Sequence, residues 1–148
     1  MKSRNKRLKA LDYYGRKFRG EFMKRTLLVK DLPWPGVKLS QNGRSHWSAK
    51  AALVKAARQE AFVKAKQELM GQPATLKSGT RLNVQLIIQP PDRRRRDESN
   101  MVERCKSFYD GIADALGFDD CLFHHREQVW LSPKKPGTIV IAIDWEEE

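Results

Sequence analysis

Between residues 82 and 116 the spacing of apolar residues changes from two to between three and four. Leu82, Val84, Leu86 and Ile88 alternate, the period of a half-buried strand. Pro90-Pro91 withholds two backbone donors and stops that strand. Further on, Met101, Cys105, Phe108, Ile112 and Leu116 recur at intervals of 4, 3, 4 and 4, which lines up one face of a helix. Gly117 is suited to end it. A strand and a helix that each bury one face need a shared core. The segment between them, Asp92-Arg93-Arg94-Arg95-Arg96-Asp97-Glu98-Ser99-Asn100, therefore lies at or beyond a strand end.

The other elements follow from the same patterns. Leu27-Leu28-Val29 reads as a short strand closed by the rigid segment Leu32-Pro33-Trp34-Pro35-Gly36. Val37 to Trp47 is a polar loop carrying Asn42, Arg44 and His46. Ser48 can cap a helix that runs to about Met70, with Gly71 just past its end. Leu53, Ala57, Ala61, Ala65 and Leu69 share one side of it. Gln72 to Gly79 is loop. Asn100 and Glu103 have capping-box spacing for the second helix. Leu122 to Leu131 and Thr138 to Trp145 are strands, with Lys134-Lys135-Pro136-Gly137 as the turn between. The order β-α-β-α-β-β predicts an α+β domain, a mixed β-sheet with two main helices on one face.

The chain has 148 residues, which suits one core, and 40% of them are apolar, which excludes a disordered chain. The formal net charge of +11 favours a polyanionic partner, nucleic acid above all. Residues 1–25 hold ten Lys or Arg against Asp12 and Glu21 and read as a basic, flexible arm ahead of a domain spanning 26–148. The arm's Tyr13, Tyr14, Phe18 and Phe22 suit stacking on bases and packing on the domain equally. No segment has the length of a transmembrane helix, and the N-terminus lacks the apolar run of a secretory signal. Cys105 and Cys121 have no metal-ligand spacing, so a reduced cytoplasmic protein is expected, with Cys105 in the core.

Arginines position phosphates, and carboxylates hold a hard divalent cation that activates water. Both residue types in one short segment point to phosphodiester hydrolysis. Arg93, Arg94, Arg95 and Arg96 suit a phosphate clamp, against the plain alternative of a solvated charge run. Asp97 precedes the second helix and Asp119-Asp120 follow it. A helix of about sixteen residues spans about 24 Å. Its ends meet only through a break near Gly111, a loop folding back or a second subunit. His124 and His125 are neighbours on a strand, where side chains face opposite ways, which argues against one shared transition metal. Arg44 and His46 are candidates for touching DNA or for ordering their own loop.

Residues 90–120 resemble the signature of the RusA family of Holliday-junction resolvases, bacterial and prophage endonucleases. The family has Pro-Asp-Arg-Arg-Arg-Arg-Asp-x-Asp-Asn, a helix ending Asp-Ala-Leu, a short turn and Asp-Asp. This chain has Pro91 to Asn100 in the first position, then Asp114-Ala115-Leu116, then Asp119-Asp120. Leu32-Pro33-Trp34-Pro35 is similar to the family's opening motif, and Asn42 to Trp47 loosely so. The resemblance covers roughly residues 26–145. It implies a magnesium-dependent enzyme, with manganese as a substitute, that resolves four-way junction DNA as a homodimer in a bacterial or phage-infected cell. Asp97 and Asp120 would hold the metal, and Lys106 would offset phosphate charge. The family's second carboxylate is here Ser99, a neutral and poor magnesium ligand. Glu98, Asn100 or Asp119 could complete the set. The alternative that Ser99 raises is a catalytically weak or inactive protein that binds branched DNA. A transcription regulator fits the charge but lacks a helix-turn-helix pattern.

Overall fold

In a computed structural model that describes residues 24–39 and 47–147, the alternating run 82–89 is β2, an inner strand of a five-stranded mixed sheet. The fold is α+β, as the order of elements predicts. β1 (Lys24–Pro33) and β2 (Leu82–Gln89) both pair antiparallel with β5 (Thr138–Glu146), which lies between them. On the far side of β2, β3 (Phe123–His125) and β4 (Val129–Trp130) follow one another in parallel register. The helices are α1 (Trp47–Leu69), α2 (Glu98–Arg104) and α3 (Lys106–Leu116).

One face of the sheet carries the main core. Leu82, Val84 and Ile88 from β2 and Ile139, Ile141, Ile143 and Trp145 from β5 are almost completely buried against Phe108 and Ile112 of α3. Burying each such side chain contributes about 1.5–3 kcal/mol. Where α1 crosses α3 the packing uses small residues: Ala57, Ala61 and Ala65 are buried, and a Cβ added to Gly111 would run into the backbone carbonyl of Arg58. The other face has a smaller cluster of Ile87, Val140 and Ala142. Asp144 is buried beyond it, and desolvation pushes its carboxyl above the ordinary range.

Several boundaries differ from the sequence expectation. β1 begins at Lys24, so Arg25 is a strand residue rather than part of an arm. Its guanidinium bonds the carbonyls of Pro73 and Gln72 and the carboxylate of Glu147 at 3.0 Å each. The arm and its aromatics, residues 1–23, lie outside the described residues. β1 runs on to Pro33 through a register shift after Val29, where Asp31 takes a left-handed φ of 57°. Helix α1 starts at Trp47, so Ser48 sits in its first turn and is not the cap. The expected strand 122–131 is two pieces, because Arg126 to Gln128 leave the ladder. Among the described residues no helix is long and apolar enough to cross a membrane.

The second helix is the largest correction. It starts at Glu98 with Asp97 as its N-cap, displacing the Asn100–Glu103 capping box. Asp97 accepts from the N–H and the hydroxyl of Ser99, and Asn100 is already inside the first turn. The helix then breaks at Cys105, whose φ of −89° and ψ of −1° depart from helical values, and not at Gly111. Gly111 is instead where α3 meets α1.

Candidate functional site

Lys106 is the first residue of α3, and its ammonium is clasped by two carboxylates. Nζ donates to Asp110 Oδ1 at 3.0 Å and to Asp120 Oδ2 at 2.6 Å. Asp110 is one turn further along the same helix, a spacing that brings side chains together. Asp120 arrives by a reversal. Gly117, at φ 77°, caps α3 with its N–H on the Ala113 carbonyl, and the chain doubles back. Asp119 then caps a short 3-10 turn, Asp120–Leu122, by accepting the Cys121 N–H at 2.9 Å. Of the three routes open from the sequence, a loop folding back is the one that returns Asp120 to the start of α3.

The charges in this cluster tune one another. Lys106 is raised above its ordinary pKa, chiefly by Asp120 and then by Asp110. Asp120 is held below the usual carboxylate range, chiefly by Lys106, and it also interacts with Asp119 and Asp110. These groups are substantially solvent-exposed, so their attraction adds little to stability. Asp110 was missed in the sequence, although its i,i+4 spacing from Lys106 was a usable signal.

Asp97 stands at the other end of α2, a helix of seven residues and so about 10 Å long. Its Oδ1 accepts from Ser99 N at 2.9 Å and from Ser99 Oγ at 2.7 Å. The Ser99 hydroxyl, then its N–H, hold the carboxyl below the ordinary range. Ser99 is thus a donor to Asp97, and no hydrogen bond or ion pair joins Asp97 to Asp120. The strand segment past β2 touches both α2 and α3. Gln128 Nε2 donates to the Glu98 carbonyl at 2.8 Å. His125 packs edge-on against Tyr109 of α3, ring centroids 4.9 Å apart. Partial burial and then His124 lower the pKa of His125, with Lys106 adding to the effect. His124 lines a cavity on the opposite face with Asn83 and Asp144, so the two histidines do diverge.

The arginine run divides into two roles. Arg96 does not extend into solvent; its side chain is 13% exposed. It donates to the carbonyls of Asp92 and Arg94 and to Asp92 Oδ1, the last at 2.7 Å, while its guanidinium lies 5.0 Å from the Trp34 ring centre. That correction makes Arg96 the brace of its own loop. Trp34 and Pro91 also close on Gly137, where an added Cβ would lie 2.8 Å from Pro91 and 3.1 Å from Trp34. The Leu-Pro-Trp-Pro segment therefore supports the arginine loop from below. Arg93, Arg94 and Arg95 remain exposed. Arg44 and His46 lie outside the described residues.

Among the described residues, no three His, Cys, Asp or Glu side chains form a ready ligand cage. Magnesium does not require one, since it is commonly held by one or two carboxylates together with water and substrate phosphate. The oxygen-only donors Asp97 and Asp120 suit that chemistry. The ammonium of Lys106 between Asp110 and Asp120 shows that positive charge is favourable there. Asp97 and Asp120 thus supply oxygen donors of the kind magnesium takes, one hydrogen-bonded to Ser99 and the other to Lys106.

No family model matches the chain. A protein of Xylella fastidiosa (strain Temecula1 / ATCC 700964), carrying the description "Uncharacterized protein", is 38% identical over 112 residues, which is 76% of this chain and 72% of the relative. The chain belongs to the same family as that Xylella protein.

Proposed function

We propose that the protein is a magnesium-dependent endodeoxyribonuclease that cuts branched DNA, four-way junctions in particular, as a homodimer. The observation that carries the reading is Lys106 held between Asp110 and Asp120, in a chain that also exposes Asp97 and Arg93 to Arg95. Exposed Arg93, Arg94 and Arg95 would neutralise and register backbone phosphates. Lys106, kept cationic by its two acids, would offset charge gathering on the phosphate under attack. Asp97 and Asp120 would hold the metal, and a bound magnesium would lower the pKa of a water and polarise the phosphate. The hydrogen bonds from Ser99 fix the orientation of Asp97 before substrate arrives.

Ser99 also supports a second reading, a protein that binds branched DNA and cuts it weakly or not at all. Its hydroxyl occupies Asp97 and offers no carboxylate of its own. One assay separates the two: a labelled synthetic junction, the full chain and magnesium, examined for paired nicks. Nicks that require magnesium support the enzyme. Tight junction binding without nicks at any magnesium concentration supports the binding protein. Light scattering that gives a monomer with and without DNA would remove the homodimer.

A further inference from the structure

Beside the arginine loop lies a groove of about 450 Å³ whose walls differ in chemistry. Its lining includes the apolar Pro90, Trp130, Leu131 and Pro133 and the cationic Arg93 and Arg94. We propose that this groove holds one unpaired nucleotide of a DNA strand, its base on the Trp130 ring and its phosphate toward Arg93 and Arg94. The inference deepens the nuclease reading and rests on it for the choice of DNA.

Four observations support this occupant. First, an apolar wall offers nothing to a phosphate, and arginines offer less to a base than an indole does; together they match a nucleotide. Base-on-aromatic stacking is the usual means of holding unpaired strands without regard to sequence. Second, the volume lies within the range of about 300–1,000 Å³ typical of small-ligand sites and is far too small for a duplex.

Third, the groove is pre-formed. Leu131 N–H donates to the Ile88 carbonyl and Lys134 N–H to the Pro90 carbonyl, each at 2.8 Å, which fixes the wall carrying Trp130. The facing wall is wound on itself by Arg96. Fourth, the charges leave the arginines available. Asp92 and Glu98 also line the groove, but the Asp92 carboxylate lies 2.7 Å from Arg96. Arg94 keeps only a long ion pair, its Nε 3.8 Å from Asp92 Oδ2, with 86% of its side chain exposed, and Arg93 is exposed as well. Glu98 adjoins Asp97, so a nucleotide seated here would bring its strand to the proposed cutting site. Unpaired bases occur at a branch point, and intact duplex has none to offer.

The test uses the full chain without metal and a fluorescent oligothymidylate, with affinity read by anisotropy. Trp130→Leu keeps an apolar side chain in contact with the core but removes the π face, and Trp130→Phe keeps a ring. We expect Trp130→Leu to weaken binding by about 5- to 100-fold and Trp130→Phe to stay within about threefold of the parent. Trp130→Leu binding like the parent, or both variants weakening equally, would overturn the stacking assignment. If Trp130→Leu does not fold by circular dichroism, the double variant Arg93→Gln/Arg94→Gln decides, since both side chains are exposed. Its salt slope should fall by about 1.4, and an unchanged slope overturns the groove. An oligouridylate bound more tightly than the oligothymidylate would assign the groove to RNA instead. Junction nicking is scored on the same preparations. Oligothymidylate binding that depends on Trp130, with no nicking, sinks the enzyme and keeps the groove. Nicking together with parent-like Trp130→Leu binding does the reverse.

Discussion

Helix α3 meets α1 at Gly111 and Asp114, and meets the Asp120 turn at Lys106 and Asp110. At the first contact a Cβ at Gly111 would strike a backbone oxygen, and beside it Arg58, half-exposed, grips Asp114 with Nε and Nη2 at 2.6 and 2.9 Å. The second side is open, and its charged groups make contacts that the core does not need. One helix thus separates what holds the fold from what is free to do chemistry. Changes on the first side should alter stability and spare DNA chemistry, and changes on the second should do the opposite.

The largest expected effect is on the open side. Asp120→Asn should lower junction nicking at least a hundredfold while leaving junction affinity intact or improved and the melting temperature within about 2 °C. Nicking at the parent rate would show that Asp120 has been assigned wrongly, and Asp119 would be tested next. On the closed side, Gly111→Ala sets two effects against each other. Alanine in a helix gains about 1 kcal/mol over glycine. Overpacking against a backbone atom that cannot swing away costs about 1–3 kcal/mol or more. The clash should win, lowering stability by about 2 kcal/mol, or roughly 4–8 °C by thermal melting. A higher melting point would mean that α1 and α3 are not in close contact.

A smaller effect is expected at Ser99. Ser99→Asp should increase nicking about tenfold at low magnesium, because a carboxylate is a far better magnesium ligand than a hydroxyl. No gain across a magnesium series would mean that the hydrogen-bonded pair Asp97–Ser99 is the working arrangement. The smallest effect belongs to Asp114. Arg58 holds its carboxyl below the usual range, so this group's contribution to stability is present above pH 4 and is lost as pH falls through the depressed folded-state value. Asp114→Asn should lower the melting temperature by less than about 3 °C at pH 7 and by nothing near pH 2, measured as a difference from the parent at each pH. A loss that persists in acid would place the role of Asp114 in packing rather than charge.

Periodic segments were the legible part of the fold. Residues 82–88 largely alternate and residues 139–143 are a continuous apolar run, and both are strands of the sheet. Residues 101–116 repeat without interruption, and there the pattern concealed a break. Met101 and Cys105 are buried just as Phe108 and Ile112 are, so an apolar face continued across Cys105 although the helix did not. Of the candidate site residues, Lys106 and Asp120 were named from the sequence and are hydrogen-bonded to each other, while Asp97 bonds Ser99 instead. Their arrangement was not legible. The return of Asp120 depends on a left-handed Gly117 and a capped 3-10 turn, a three-dimensional path that no spacing encodes. Arg96 was misread for a related reason. Four identical residues in a row give no hint that one packs on Trp34, a partner sixty positions away.

The interruption at Arg126 to Gln128 has a further consequence, for how copies of the chain can associate. A long, straight outer strand is a template for adding another chain, and proteins blunt it with short pieces, bulges and prolines. Beyond β2 the sheet ends in strands of three and two residues. On the opposite border β1 is kinked at Asp31 and stops at Pro33. Neither margin suits continuous β-augmentation. A second copy would have to meet this one through helices, loops or a sheet face, so the two copies would keep separate sheets, and the same blunting guards the described sheet against ribbon-like self-assembly.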